Sequence, residues 1–377
     1  MFVRKLVKFV PCGILSVLVF TAAIFCKPAP AAGADLLGAV YVMTNQASGN
    51  SIVAFNRAPD GTLTSMGTFP TGGLGMGSGN DPLGSQGALI LSSDGHFLFA
   101  VNAGSNSISV MVPCSTGLCL AGKVPSEGTE PVSLTLYKNL LYVLNAGGTP
   151  NISGFLLGSD GRLAHLPGST RSLAGGSAAA PAQVGFSPDG SFLVVTEKGT
   201  NLIDTYRVLP NGLTDGPFSN PSSGATPFAL AFGRSNALVV SEAAGGPDGT
   251  SATSSYRISS GGQLITLSGS VADTQMAACW ALSTNDGRFV YVINSGSDSV
   301  SLYRVGVAGK LGLLNAVAAT TGSAPTDSAM SASSLYFYVL DDASGQVSAY
   351  RVEADGALTS ISGASGLPAG SQGIAAE

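Results

Sequence analysis

Charged, aromatic and histidine residues are all scarce in this chain of 377 residues. Charged residues make up 10% of it and aromatic residues 7%, with two histidines and one tryptophan. The shortage of Lys, Glu and Arg, together with 51 Gly and 20 Pro, disfavours a helical bundle. Gly shows no three-residue period, which excludes collagen. The remaining composition, rich in Ser, Thr and Val, is typical of an all-β globular protein.

Residues 1–34 have the pattern of a signal peptide. A basic start at residues 4–8 precedes an apolar stretch at residues 14–25, and small residues follow at 29–34. The apolar stretch is short for a membrane span, and the residue before Cys26 is unlike that of a lipid-anchor site. We therefore predict cleavage of this segment, export to the periplasm or the medium, and no membrane span in the mature chain.

The mature chain, residues 35–377, is predicted to be one acidic domain. Residues 1–34 hold four of the 17 Lys and Arg and none of the 22 Asp and Glu, so their removal leaves a formal charge of −9. Such a charge disfavours nucleic acid and anionic membranes as partners. We expect a monomer whose partner is a small-molecule or carbohydrate ligand, or another protein.

Three cysteines remain after cleavage. Cys114 and Cys119 bracket a four-residue stretch typical of a turn, so they can face each other across a hairpin. In an exported protein this spacing predicts a disulfide. Cys279 is then expected to be a small buried apolar residue.

A repeat of about 49 residues runs through the mature chain. An alternating apolar strand recurs seven times, followed by a strand with one large residue at a constant place and then by a Gly-Leu signal. The large residues are Phe55, Met111, Phe155, Tyr206, Tyr256, Tyr303 and Tyr350. A small-residue strand precedes each unit from the second onward. Four strands per unit and seven units predict an all-β, seven-bladed β-propeller with four-stranded antiparallel blades.

The ends of the chain predict how the ring closes. The mature chain begins at the second strand of a unit, near Tyr41, and ends with residues 371–376, which repeat the pattern of residues 85–88. The C-terminal strand should therefore supply the innermost strand of the first blade, leaving no free edge at the seam.

Propeller geometry places one polar residue from each of six repeats at the same rim. Loops after the second strand and loops into the next blade share one face, here called the upper face. The rim residues are Asn102, Asn145, Glu197, Glu242, Asn294 and Asp341. From the channel strands, Gln183, Trp280 and Asp327 take one shared repeat position beside the upper opening. We predict that a ligand binds there.

These polar residues also have structural explanations. Asn and Asp at strand ends commonly bond their own loop backbone, which we favour for the Asn set, whereas Glu197 and Glu242 remain open between the two roles. Trp280 is compatible with stacking on a sugar or with filling the channel.

The Gly-rich residues 71–80 lack a phosphate-binding pattern and are interpreted as a mobile upper-face loop. The four Tyr-Arg pairs at residues 206, 256, 303 and 350 are expected to pack between blades.

No cofactor or metal is expected. The two histidines, His96 and His165, fall on a lower turn and an outer strand, so they cannot converge with the rim for nucleophilic catalysis. His and Cys do not occur at metal-binding spacings. An all-oxygen Ca²⁺ site near Asp341 is less favoured than a solvated acidic loop.

Two pairs of segments resemble those of a known family. Residues 84–95 with 98–106, and residues 181–190 with 195–201, are similar to the lactonase-type seven-bladed propellers, which include bacterial 6-phosphogluconolactonase and carboxymuconate lactonising enzymes. The resemblance covers the mature chain and implies the propeller fold. It also implies a catalytic role for Glu197, which matches the rim Glu of the family.

The match at the implied active site is partial. The family's Arg and His fall at Ala182 and Gln183, and a further His falls at Val132 or Ser133. Without them, an anionic lactone has no partner. We therefore expect binding of a neutral ligand or a partner peptide with weak or no catalysis. The alternative is a lactone hydrolase with Glu197 as general base and Gln183 in place of the charged donor.

Overall fold

The computed structural model of the chain describes residues 38–77, 79, 81–243 and 251–377. The predicted signal peptide and residues 244–250 lie outside the described residues. Within the described ranges, no helix is long and apolar enough to cross a membrane. Short 3₁₀ turns occur at Ala103–Ser105, Gly176–Ala178 and Arg234–Asn236.

Seven antiparallel sheets form the seven predicted blades. The first, innermost strands of blades 1 to 7 are Ile374–Ala376, Leu89–Leu91, Thr129–Tyr137, Pro181–Phe186, Pro227–Phe232, Ala278–Ser283 and Pro325–Met330. The second strands are Gly38–Met43, Leu98–Asn102, Leu140–Gly147, Phe192–Glu197, Leu238–Glu242, Phe289–Asn294 and Tyr336–Asp341. The propeller predicted from the repeat is therefore confirmed.

The outer half of each blade follows the same order. The third strands are Ser51–Arg57, Ser107–Cys114, Asn151–Leu157, Leu202–Val208, Ala252–Ile258, Ser299–Val305 and Gln346–Val352. The fourth strands are Leu63–Pro70, Gly117–Pro125, Leu163–His165, Thr214–Pro221, Leu264–Ala272, Leu311–Thr320 and Leu358–Ser365. In blade 3 the outer edge is broken, and a second short strand, Arg171–Ser172, also pairs with the third strand.

Glycine makes the turns between the third and fourth strands. The Gly residues of the Gly-Leu signals at 61, 161, 212, 262, 309 and 356 have φ between 76° and 90°. Side chains with a Cβ are strained in this left-handed region, so the repeat keeps Gly there. The Gly-Leu signal thus marks the outer hairpin of each blade.

The core lies between blades as well as within them. The third-strand tyrosines Tyr206, Tyr256, Tyr303 and Tyr350 are at most 4% exposed. The Tyr206 and Tyr303 hydroxyls donate to the backbone carbonyls of Ser172 and Val271, at 3.1 and 2.9 Å, at the outer end of the preceding blade. Arg304 is exposed beside the buried Tyr303, as strand alternation requires.

The C-terminal strand closes the ring. Ile374, Ala375 and Ala376 pair with Val42, Tyr41 and Val40 of blade 1 in an antiparallel register. The Gln372 N–H donates to the Met43 carbonyl at 3.0 Å, extending the ladder beyond the assigned strand. Blade 1 is thus held together by the two ends of the described chain.

We expect deletion of residues 371–377 to destabilise the fold by several kcal/mol, because a buried inner strand and its hydrogen bonds are lost. Denaturant unfolding followed by circular dichroism measures the change. Glu377→Ala is the matched control, since it leaves the paired strand intact. An unchanged unfolding midpoint in the deletion variant would show that blade 1 does not depend on the C-terminal strand.

Cys114 and Cys119 form a disulfide across the outer hairpin of blade 2, with a Cα–Cα distance of 5.9 Å. Cys279 is free and buried. The bridge closes a short loop at the edge of one blade, so its effect on the entropy of the unfolded chain is small.

We predict that alkylation of the denatured, non-reduced mature protein labels one thiol, that of Cys279, and that prior reduction raises the count to three. Reduction should leave the propeller folded, because the bridge spans only a surface hairpin. Mass spectrometry counts the labels. Three labels without reduction would exclude the disulfide in the isolated protein.

Candidate functional site

The six polar residues predicted at the upper rim all lie at the upper ends of second strands. They are Asn102, Asn145, Glu197, Glu242, Asn294 and Asp341, and none is more than 1% exposed. They therefore do not line an open pit. Their role as ligand contacts stays a prediction, and the structure shows what they bond to within the protein.

The two rim glutamates hold the loops that lead into their own blades. Both Glu197 oxygens accept from the Gly175 N–H, at 3.2 and 3.1 Å, and Thr200 Oγ1 donates to Oε2 at 2.5 Å. Glu242 accepts from the Gly224 N–H at 2.9 Å and from the Ser270 hydroxyl at 2.8 Å. These carboxylates replace missing backbone partners in tightly folded loops.

The rim residues approach the loop backbone so closely that only glycine fits opposite five of them. An added Cβ would lie 2.2–2.7 Å from the rim side chain at Gly73, Gly128, Gly175, Gly224 and Gly322. Each of these glycines lies in the loop that leads into its blade. The sequence contains this signal, but it is hidden because glycine is frequent throughout the chain.

A second repeat position supports the rim from the third strand. Five blades carry serine there, at Ser109, Ser153, Ser254, Ser301 and Ser348. In blade 2 the Ser109 hydroxyl accepts from Asn102 Nδ2 at 2.8 Å, and in blade 7 the Ser348 hydroxyl donates to Asp341 Oδ2 at 2.5 Å. Blade 4 departs from this pattern, because Asp204 takes the serine position beside Glu197.

Blade 4 therefore buries two carboxyl groups together. Asp204 is fully buried and accepts from the Ala174 N–H at 2.8 Å through Oδ2. Burial, followed by the hydrogen bond and charge of Glu197, raises the pKa of Asp204 to about 7. Sequence reasoning missed Asp204, although aligning the repeats at the serine position would have singled it out.

The upper mouth of the channel is covered by residues 81–86, here called the strap. The Gln86 side-chain amide pairs with the backbone of Ala281 in blade 6, with Nε2 donating at 2.9 Å and Oε1 accepting at 3.0 Å. Trp280 Nε1 donates to the Ser85 carbonyl at 2.9 Å. The strap thus crosses from blade 2 to blade 6 and closes the opening where the sequence predicted a ligand.

Lys198 fixes the strap from blade 4. Its ammonium group donates to the Gly84 carbonyl and lies 4.7 Å from the centre of the Phe228 ring. Burial lowers the pKa of Lys198, and the nearby carboxyl of Asp81 opposes that shift. Burial likewise raises the pKa of Asp81 to about 6, offset in part by Lys198. This charged pair lies inside the covered mouth.

The three predicted channel residues lie at the same register position but make different contacts. Gln183 Oε1 accepts from the Leu230 N–H of blade 5 at 2.7 Å. Trp280 is 1% exposed and packs edge-on against Phe228 at 5.2 Å, so it fills the mouth. Asp327 is buried and accepts from the Ser328 N–H at 2.7 Å.

The described part of the Gly-rich loop, residues 71–77, lies on the upper face and is hydrogen-bonded to its neighbours. The Leu74 N–H donates to the Ser105 hydroxyl at 3.0 Å, and the Met76 N–H donates to Asn45 Oδ1 at 3.0 Å. The Gly75 N–H donates to the Gln46 carbonyl at 2.9 Å. Residues 71–77 are therefore hydrogen-bonded to both blade 1 and blade 2.

We predict that Asp204→Asn weakens the pH dependence of stability between pH 5 and 8, while Asp81 and Asp341, whose pKa values burial raises to about 6, still contribute to it in both proteins. A folded-state pKa raised above the unfolded value of about 4 means that the wild type loses stability as pH rises toward 7. The share of Asp204 in the loss between pH 5 and pH 7 should be about 2 kcal/mol, since one pKa unit corresponds to about 1.4 kcal/mol. Urea unfolding at several pH values measures it.

The matched control is Asp215→Asn, which removes an exposed acid from the fourth strand of the same blade. It should follow the wild-type pH profile. If Asp204→Asn also follows that profile, the carboxyl pair does not hold a proton in the folded state.

Comparisons with known proteins agree with this architecture. The family model described as lactonase, 7-bladed beta-propeller, matches residues 175–372. No curated protein matches the chain. Among solved structures, a periplasmic gluconolactonase of Pseudomonas aeruginosa has 17% identity and a TM-score of 0.69, covering 90% of this chain and 99% of that one.

Two further structures have the same fold. A Bacteroides fragilis protein, provisionally described as a 6-phosphogluconolactonase, has 19% identity and a TM-score of 0.69, with coverage of 92% of this chain and 99% of that one. A Lactobacillus plantarum protein has 18% identity and a TM-score of 0.71, with coverage of 91% and 100%. The family model spans more than half of the chain, and the chain therefore belongs to the lactonase family of seven-bladed β-propellers.

Proposed function

We propose that this protein is an exported propeller of the lactonase family that binds a small uncharged ligand, or a partner peptide, without hydrolysing it. The main support for this proposal is the burial and hydrogen bonding of the Glu197 side chain. Its carboxylate is fully buried, and the Gly175 N–H and the Thr200 hydroxyl already bond to it. A general base must reach the proton that it removes, directly or through one water.

The neighbouring positions support a binding role. Where the family resemblance implies Arg and His, this chain has Ala182, which is buried, and Gln183, which is bonded to the Leu230 backbone. Neither supplies a positive charge for an oxyanion or for a phosphorylated substrate. The strap also covers the mouth that a lactone would have to enter.

Export is supported by the signal-like pattern of residues 1–34 and by the acidic, low-charge composition of the rest of the chain. The Pseudomonas aeruginosa protein with the same fold is described as periplasmic. A periplasmic or secreted location would also separate this protein from phosphorylated lactones of the cytosol.

The alternative function is hydrolysis of a lactone through Glu197. One feature favours it: Glu197 lies close to Asp204, whose pKa is raised to about 7 and which therefore keeps a proton available near neutral pH. A carboxylate beside a carboxylic acid is a common arrangement for proton transfer. The loop around Gly175 would have to open before a substrate could reach this pair.

We expect that purified protein comprising residues 35–377 does not accelerate lactone hydrolysis. Neutral and phosphorylated five- and six-membered lactones should be hydrolysed at the same rate with the protein as in buffer alone. Glu197→Gln and Glu242→Gln should behave like the wild type, since both glutamates support loops. Lactone turnover is measured by pH-stat titration.

The two glutamates occupy the same place in adjacent blades, so Glu242→Gln is the matched control. Turnover that is present in the wild type, lost in Glu197→Gln and retained in Glu242→Gln would establish the hydrolase instead.

A further inference from the structure

A cavity of about 590 Å³ lies on the lower face, between blades 4 and 5. This volume is in the range of small-molecule sites in proteins. The cavity extends from Phe232 on the first strand of blade 5 to Ile258 on its third strand, a distance of about 10 Å at the usual strand spacing. Asp189 and Asn236 of its lining are exposed, so the cavity is open to solvent, unlike the covered upper mouth.

The blade 4 side of the cavity carries a hydrogen-bond acceptor. Asp189 Oδ1 accepts from the Ser187 and Ser191 hydroxyls, at 2.6 and 2.7 Å, and these bonds hold the turn between the first and second strands. They also lower the pKa of Asp189, so this residue is a carboxylate at neutral pH. Its second oxygen, Oδ2, accepts no hydrogen bond from the described residues and can accept one from a ligand.

Arg207 supplies hydrogen-bond donors to the same cavity. Its Nη2 donates to the Ser260 carbonyl, in the outer hairpin of blade 5, at 2.7 Å. Its guanidinium lies 5.7 Å from the centre of the Phe218 ring, and these two contacts fix its position. An arginine has five N–H groups, and 42% of this side chain is exposed, so donors remain for a ligand.

The blade 5 turn beside the cavity departs from the repeat. In blades 2, 4 and 6, an aspartate in the corresponding turn accepts from a Ser or Thr hydroxyl two residues earlier. Blade 5 has the 3₁₀ turn Arg234–Asn236 instead, and both Ser235 and Asn236 are left-handed, with φ of 57° and 55°. The Asn236 amide bonds to no described residue. This turn therefore places at the cavity a polar side chain that the fold does not use.

The neighbouring cavity lacks this combination. It lies between blades 3 and 4 on the same face and has a volume of about 550 Å³. Leu156 takes the repeat position of Arg207 there, and no carboxylate occurs among the described residues that line it. The pairing of a free carboxylate oxygen with a fixed guanidinium thus distinguishes the cavity between blades 4 and 5.

We propose that the lower cavity between blades 4 and 5 is a binding site for a neutral disaccharide. One sugar hydroxyl donates to Asp189 Oδ2, and others accept from the Arg207 guanidinium and the Asn236 amide. The C–H groups of the rings pack on the apolar part of the wall, which includes Phe232 and Ile258. This inference rests on the proposed binding function, because it names the class of ligand and moves the site from the upper mouth to the lower face.

The charges around the cavity favour a neutral ligand. Arg207, Arg257 and Asp189 line it, and Asp215 lies 4.0 Å from Arg207. Two cations and two carboxylates leave no net charge to attract an ion. A purely apolar ligand would remove water from Asp189 and Arg207 without replacing its hydrogen bonds. Sugar hydroxyls donate and accept, which matches this mixture of groups.

The test uses cellobiose, maltose, lactose and N,N′-diacetylchitobiose as neutral probes and digalacturonate as the charged counterpart. Saturation-transfer NMR on residues 35–377 detects binding, and isothermal titration calorimetry measures it. We expect at least one neutral disaccharide to bind, one molecule per chain, with a Kd of about 5 mM or lower. Digalacturonate should bind about fivefold more weakly than that probe, because its carboxylates approach Asp189 and Asp215.

Asp189→Asn should weaken binding of that disaccharide about tenfold, the effect of one hydrogen bond to a charged group. Asn keeps the Oδ1 acceptor of the turn and replaces the free oxygen by a donor. Asp94→Asn is the matched control, since Asp94 has the same place in the blade 2 turn and does not line the cavity. The control should bind like the wild type, and both variants should change the melting temperature equally.

Arg207→Gln should likewise weaken binding about tenfold, because the charged donor is lost. Its matched control is Arg304→Gln, at the same repeat position of blade 6 and outside the cavity lining. This control should keep the wild-type affinity.

The proposal is overturned if none of the four neutral disaccharides binds, or if digalacturonate binds as tightly as the best of them. It is also overturned if Asp189→Asn and Arg207→Gln bind like their controls. These outcomes leave the non-hydrolytic function standing. Conversely, lactone turnover that depends on Glu197 would overturn the proposed function while leaving any measured disaccharide binding intact. The two experiments therefore fail independently.

Discussion

The structure depends on how the backbone groups at the inner edges of the seven sheets find hydrogen-bond partners around the central channel. The first strand of every blade has a partner on one side only, so its other edge presents N–H and carbonyl groups toward the channel. Side chains of neighbouring blades cover several of these groups. The Ser133 hydroxyl accepts from the Val184 N–H at 3.2 Å, and Gln183 accepts from the Leu230 N–H at 2.7 Å. Gln86 reaches across the ring to both backbone groups of Ala281.

This constraint explains why polar residues recur along the channel strands. Gln183 and the serines of the inner strands are required by the backbone of the next blade. The rim residues serve the loops in the same way, each opposite a glycine in five of the blades. At Glu197 and Glu242, backbone N–H groups of these loops bond to the carboxylates.

The fold could be predicted because its determinants recur within each blade. Strand periodicity, Gly-Leu turns and the matching terminal segments are all local patterns, and they were sufficient for blade count and closure. The covered mouth could not be predicted, because its contacts join residues 195 positions apart, such as Gln86 with Ala281. The repeat pattern contains no information about contacts between blades on opposite sides of the channel, such as those of the strap. Asp204 was missed for the opposite reason: it is a departure from a repeat position that only the aligned blades make visible.

Closure by the C-terminal strand has a consequence for the order in which the protein is made. The second strand of blade 1, Gly38–Met43, is synthesised among the first described residues, and its inner partner, Ile374–Ala376, among the last. Blades 2 to 7 are each continuous in the chain and can pair as they emerge from the ribosome. Blade 1 cannot. Until residues 374–376 have been made, the inner edge of Gly38–Met43 has unpaired N–H and carbonyl groups, so blade 1 is the last blade that can complete its sheet.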